Sequence, residues 1–274
     1  MMDLVQAENY FRDMQQPFES QRDDEILAPL ISVVAGSGGV GRSLFALLCT
    51  QLAAASGIAT ALIEGDLQFG DIGFWLGLDD ELPDLGSPER CTPIELWDDA
   101  VLYKAPCFPE VAERVSDDLA RSLPSIRAKR ELVIADTGAF WSGFTADLLL
   151  QSDVFLLVMD HRPSSIVAAV KAQELCSRIG IPLARMVAVY NRWSPKVRIS
   201  AEEARRALGV EEIFCIPDGH RTVEELLSTG DFMELAHVGD SVVMGVRELL
   251  TAVLPRVGRL YADAPIKHRR GLFG

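Results

Sequence analysis

The sequence is poor in what a disulfide frame, a zinc centre or a membrane span requires. Its 274 residues hold five cysteines (Cys49, Cys91, Cys107, Cys176 and Cys215), an odd and scattered set with no Cys-x-x-Cys pair. That excludes a disulfide scaffold and a cysteine-rich zinc site as organising features. The four histidines, His161, His220, His237 and His268, show no ligand spacing with carboxylates or cysteines. Apolar runs such as Val154–Met159 are far too short to cross a bilayer. The first 29 residues are acidic and polar, without the apolar core of a signal peptide. Positive charge is scarce: 26 Lys plus Arg against 40 Asp plus Glu give a net charge of −14. Such a surface repels phosphate backbones, so no specific nucleic acid is expected as a partner. No Gly-x-Ser-x-Gly elbow marks an α/β-hydrolase. What the chain does have is a hydrophobic fraction of 49% with 24% charged residues. That is enough to bury a sizeable core, and it predicts an acidic globular protein of the cytoplasm.

Short apolar runs alternate with helical patterns. Ile31–Ala35, Thr60–Glu64, Glu131–Ala135, Val154–Met159, Met186–Tyr190 and Ile213–Ile216 are continuously apolar, as parallel strands covered on both faces should be. Thr92-Pro93-Ile94-Glu95, Ser200…Glu203 and Thr222…Glu225 read as helix starts with capping boxes, and Gly209 and Gly230 as helix stops. Asp240 is placed to cap a last helix with Val242, Val246, Leu249, Leu250 and Val253 on one face, ended by Pro255. The alternation predicts an α/β fold: a doubly wound, mostly parallel sheet with helices on both faces. Residues 30–255 read as one domain, 1–29 as an N-terminal arm and 256–274 as a basic C-terminal tail.

The densest signal follows the first strand. Ile31–Ala35 runs into Gly36-Ser37-Gly38-Gly39-Val40-Gly41-Arg42-Ser43 and then into a helical pattern over Leu44–Ala55. This is the G-x-x-x-x-G-[K/R]-S spacing in strand–loop–helix context. Its glycines let backbone N–H groups converge on phosphate oxygens, and the helix N-terminus adds its dipole. Ser43 sits where a hydroxyl would bind Mg²⁺. Gly36, Gly38 and Gly41 also read G-x-G-x-x-G, and Glu64 ends the second strand where a dinucleotide site favours an acidic residue, so the loop alone leaves that alternative open.

Ser37–Ser43 resembles the deviant phosphate loop of the MinD/ParA ATPases, K-G-G-x-G-K-[ST], matching at every position except the two lysines. Glu64-Gly65-Asp66-Leu67-Gln68-Phe69-Gly70-Asp71 resembles the next element as found in the pilus-assembly (CpaE/TadZ-like) branch. Val133–Gly138, with Asp136, resembles the third element. Val189–Arg192 and Ile216–Asp218 resemble the two adenine-side loops. The resemblance spans roughly residues 31–254.

The resemblance implies ATP and Mg²⁺ as cofactors. It assigns nucleotide binding to Gly36, Ser37, Gly38, Gly39, Val40, Gly41, Arg42, Ser43, Asn191, Arg192, Pro217 and Asp218. It assigns Mg²⁺, partly through water, to Ser43, Asp66 and Asp136, with Asp66 also catalytic in orienting water. It implies a homodimer, and it places Trp75, Leu76 and Leu78 near the dimer face, although core or flap positions suit them equally. Two departures bear on chemistry. Ser37 replaces a lysine that crosses to the partner's phosphates, and Arg42 replaces the lysine on the β- and γ-phosphates. Losing a cation that stabilises the transition state costs about 10³–10⁵ in rate in related enzymes, whereas the amide cradle survives. The expectation is therefore an ATP-binding localisation or assembly factor with slow or absent hydrolysis, serving a tight-adherence pilus or related secretion machine, possibly at a cell pole. Its partners would be proteins of that machinery. The alternative is an active partition or division-site ATPase cycling on DNA or membrane. Lys267–Arg270 and the Leu-Phe pair after them offer only weak membrane contact.

Overall fold

The computed structural model describes residues 27–79, 81–86, 92–229, 232–235 and 241–257. The expectations for residues 1–26, for Gly230, Asp240 and His237, and for the tail beyond residue 257 lie outside the described residues.

The six apolar runs form the expected strands. In chain order the sheet comprises β1 (Leu30–Ala35), β2 (Thr60–Gly65), β3 (Ile94–Glu95), β4 (Ala100–Tyr103), β5 (Leu132–Thr137), β6 (Val154–Asp160), β7 (Met186–Trp193) and β8 (Phe214–Pro217). Their spatial order is β3-β4-β2-β5-β1-β6-β7-β8. Every pairing is parallel except β3 with β4. Helices α1 (Arg42–Ala55), α2 (Ile72–Trp75), α3 (Ala112–Ala128), α4 (Gly143–Gln151), α5 (Pro163–Arg178), α6 (Ala201–Leu208), α7 (His220–Thr229), α8 (Phe232–Leu235) and α9 (Ser241–Val257) complete the described chain.

Alternate strand residues feed opposite layers, as the two-residue period dictates. Ile31, Val33 and Ala35 join one core with Phe45, Leu48, Val246 and Leu249 of α1 and α9. Leu30 and Val34 face the other side, against clusters that include Leu119 and Leu123 of α3 and Ile166 and Ala169 of α5. The sheet is thus covered on both faces, and this is why β1, β5 and β6 carry no alternating polar residues. Trp75, Leu76 and Leu78 pack partly buried against the first core.

Three local expectations are corrected. Thr92-Pro93-Ile94-Glu95 does not open a helix. Ile94 and Glu95 form the antiparallel edge strand β3, and Asp98 and Asp99 adopt φ of 46° and 66° in the turn that leads into β4. Ala100 N donates to Trp97 O at 2.7 Å across that turn. Two consecutive left-handed residues make the tight hairpin connection that matches strand twist. Burial of Ile94 and pairing with β4 outweigh the capping signal. Thr222 lies inside α7, which already begins at His220. Pro255 does not stop α9, which runs to Val257; in the last turn a proline removes only its own N–H bond. The box at Ser200 and Glu203 forms as expected, with Gly209 left-handed at φ 63° behind it.

Candidate nucleotide-binding site

Open parallel sheets bind ligands beyond the carboxyl ends of their strands, where neighbouring connections diverge. Here β1 lies between β5 and β6, and the turn leaving β1 opens into a cleft of about 370 Å³. The cleft is lined by residues 37–44 of that turn, by Asp66, Phe69, Asp71 and Trp75 from the β2 side, and by Asn191, Arg192 and Asp218 from the β7–β8 side. Eleven of the fourteen residues assigned to the site in the sequence therefore line one cavity. The other three are Gly36, Asp136 and Pro217, which lie at the carboxyl ends of β1, β5 and β8.

The turn is shaped by close packing as much as by freedom. Gly36 abuts the backbone of Ala168 in α5, where a Cβ would overlap the carbonyl. Gly41 adopts φ 92°, and a Cβ there would lie 2.6 Å from Asn191 Nδ2. That nitrogen donates to Val40 O at 2.8 Å, and Asn191 is 4% exposed. The side chain expected to read adenine is thus, through its amide N–H, a clamp on the phosphate loop.

Behind the turn lies a buried charge cluster. Arg42, the first residue of α1, donates from Nε to Asp136 Oδ1 at 2.6 Å and from Nη2 to Asp66 Oδ2 at 3.3 Å. Ser43 also donates to the Asp136 carboxylate. Asp136 is 1% exposed, and burial pushes its pKa up to about 6 against the opposing pull of Arg42 and Ser43. Asp66 Oδ1 accepts from Phe69 N at 3.1 Å, so this aspartate also shapes its own loop. Burial raises the Asp71 carboxyl, with Arg42 opposing.

This arrangement departs from the assignments made in the sequence. Arg42 reaches the two aspartates, and Ser43 joins it at Asp136. A divalent cation needs carboxylate oxygens with no competing cation seated on them. Here both carboxylates share a guanidinium that cannot deprotonate. As arranged, the donor set does not fit Mg²⁺.

Glu64 acquires a definite role. It is 2% exposed, and its two oxygens accept from Ile72 N at 2.7 Å and Ala105 N at 2.9 Å. It pins the 66–72 segment to the end of β4. Burial pushes its pKa up to about 7, opposed by those two amides and reinforced by Asp136 and Asp71.

Sequence reasoning missed Asp160 and Arg162. Asp160 ends β6, is fully buried, and accepts from Arg162 Nε on both oxygens, at 3.0 and 2.7 Å. Arg192, left-handed at φ 54°, has Nη1 3.9 Å from the same carboxylate. Arg162 Nη2 also donates to Gly38 O at 3.2 Å. Two half-exposed arginines are thereby held beside the phosphate loop. The available signal was an aspartate closing an apolar strand, the pattern already noted for Asp66 and Asp136.

No protein-family model and no curated protein matches the chain. Solved structures do. The septum site-determining protein MinD of Pyrococcus horikoshii, complexed with Mg-ADP, superposes with a TM-score of 0.72 at 17% identity, covering 87% of this chain and 99% of that one. A ParA family ATPase from Chlorobium tepidum gives 0.68 at 20% identity, covering 81% and 98%. A putative plasmid partition protein from Borrelia burgdorferi bound to AMPPNP gives 0.61 at 16% identity, covering 82% and 99%. The chain has the MinD/ParA fold. Its order of elements, with the first strand central and its glycine loop leading into α1, is that of the MinD/ParA fold over nearly the whole length of those proteins. Among the described residues no helix is long and apolar enough to cross a membrane.

Proposed function

We propose that the chain binds ATP in the cleft at the carboxyl end of β1 and hydrolyses it slowly or not at all, acting as a nucleotide-governed localisation or assembly factor. The observation that carries the reading is the convergence of the 37–43 turn with Asn191, Arg192 and Asp218 on one cavity of about 370 Å³, within the size range of small-molecule sites. Neighbours of the same fold have been solved with Mg-ADP and AMPPNP, which supports an adenine nucleotide over the dinucleotide alternative. Weak turnover follows from two residues. Ser37 carries no charge, and Arg42, the cation at the second lysine position, is held in place by Asp66 and Asp136, so no mobile ammonium follows the charge developing on a transferred phosphoryl group.

The Glu64–Asp71 stretch supports a finer reading: a homodimeric factor of a tight-adherence pilus or related secretion machine, cytoplasmic and placed at a cell pole. A second reading, an ATPase cycling in partition or division, is favoured by the MinD and ParA identities of the structural neighbours. Titration of the purified protein with ATP in Mg²⁺ buffer, with phosphate release followed in parallel, separates them. Micromolar binding with little release supports the first reading. Turnover accelerated by DNA or lipid vesicles supports the second, and absence of binding overturns both. Light scattering with and without ATP reports the dimer.

A further inference from the structure

Nucleotide sites of this geometry ordinarily balance phosphate charge with a metal ion, but this cluster already contains its own cation. Arg42 bridges Asp136 and Asp66 at 2.6 and 3.3 Å, and the Ser43 hydroxyl is bonded to Asp136. The Arg42 side chain is 10% exposed and that of Asp136 1%. The positive charge of the guanidinium cannot leave as a proton; it leaves only if the whole side chain swings out, and the buried Asp136 then loses its counter-charge. A divalent ion entering with Arg42 in place would meet a like charge within hydrogen-bond distance of the oxygens it needs. The carboxylates occupy two of the five guanidinium N–H donors, and Arg42 is among the residues that line the cleft, so three donors remain in a residue beside the phosphate position.

We propose that this protein binds its nucleotide without a divalent cation, the Arg42 guanidinium acting as the fixed counter-charge of Asp66 and Asp136. The proposal rests on the nucleotide-binding reading above and deepens it. The rival arrangement has Arg42 turning to the phosphates and releasing both carboxylates to a metal. The two differ in one measurable quantity.

The full-length protein is titrated with a fluorescent ATP analogue in excess Mg²⁺ and again in excess EDTA. The expected Kd values agree within about threefold, a difference well under the tenfold that 1.4 kcal/mol represents. Arg42→Lys replaces the fork with a point charge that cannot hold both carboxylates, and its binding is expected to weaken about tenfold or more on chelation. A wild-type Kd that rises at least that much in EDTA overturns the inference and leaves the nucleotide reading standing. Metal-independent binding by both proteins removes Arg42 from the explanation and also overturns it. Absence of binding in both buffers overturns the nucleotide reading itself.

Discussion

Glu64 lies opposite Asp136 in the β2–β5 register, and the fold compensates these two buried carboxylates by different means. Glu64 receives two backbone amides, whereas Asp136 receives a guanidinium and a hydroxyl. Burial raises both, Glu64 from 4.5 to about 7 and Asp136 from 3.8 to about 6, so two amides and a guanidinium with a hydroxyl leave rises of similar size.

The raised Glu64 carboxyl predicts a pH dependence of stability. The Glu64 carboxyl sits above its unfolded value of 4.5, so the folded state holds a proton that the unfolded state releases between that value and about 7. Its contribution is fully favourable below 4.5 and is lost as pH rises through 7, by about 3 kcal/mol across the window. Glu64→Gln removes this titration, and urea unfolding at pH 5 and pH 8 is expected to show a flatter profile for the variant. Equal slopes in the two proteins would refute this origin.

Arg42→Ala is expected to cost about 3–5 kcal/mol at pH 7, because it leaves two carboxylates, one of them buried, without their cation. The loss is expected to shrink at pH 5, where Asp136 takes up a proton in place of the guanidinium. Arg42→Lys retains the charge and is expected to lose less. Chemical denaturation at the two pH values reads both effects, and a pH-independent loss would contradict the ion-pair account.

Much of this was legible in the sequence, and the exceptions have separate causes. The core strands announce themselves because burial on both faces demands unbroken apolar runs. The phosphate turn does so because its glycines are local necessities. The β3–β4 hairpin stayed hidden because Asp98 and Asp99 make its left-handed turn without glycine, and because Thr92–Glu95 carries a local helix signal that strand pairing overrides. The destination of Arg42 was invisible for another reason. Its partner Asp136 is 94 residues away, and residue type alone does not say whether a guanidinium turns toward a ligand or toward the protein. Asp160 and Arg162 were overlooked although they stand at a strand end like Asp66.

Two glycines in the same turn are expected to respond differently to alanine. At Gly41 a Cβ meets φ 92° and the Asn191 amide at 2.6 Å, so Gly41→Ala strains the backbone and dislodges the clamp on Val40. A stability loss of about 1–3 kcal/mol and weaker nucleotide binding are expected. At Gly38 a Cβ meets nothing within 4 Å, and Gly38→Ala is expected to leave stability within about 0.5 kcal/mol. Thermal unfolding of the pair checks the contrast, and similar losses at both positions would show that the turn is not held through Asn191.

The Asp160–Arg162 pair is expected to be asymmetric. Asp160 is fully buried, whereas the Arg162 side chain is 45% exposed. Arg162→Ala leaves a buried carboxylate whose remaining cation, Arg192, stands 3.9 Å away. It also removes the bond to Gly38 O. Asp160→Asn leaves two arginines that water can solvate, and keeps an acceptor for one of them. Stranding a buried charge costs more than stranding an exposed one. Arg162→Ala is therefore expected to be the more destabilising of the two, by about 1–2 kcal/mol, although a surface arginine is ordinarily the more tolerant partner. Arg162→Ala is also expected to weaken nucleotide binding more than Asp160→Asn, since it alone removes the side chain bonded to Gly38 O. Urea denaturation beside an ATP titration reads the two effects separately, and an Asp160→Asn loss exceeding that of Arg162→Ala would mean the carboxylate is needed by something other than its arginines.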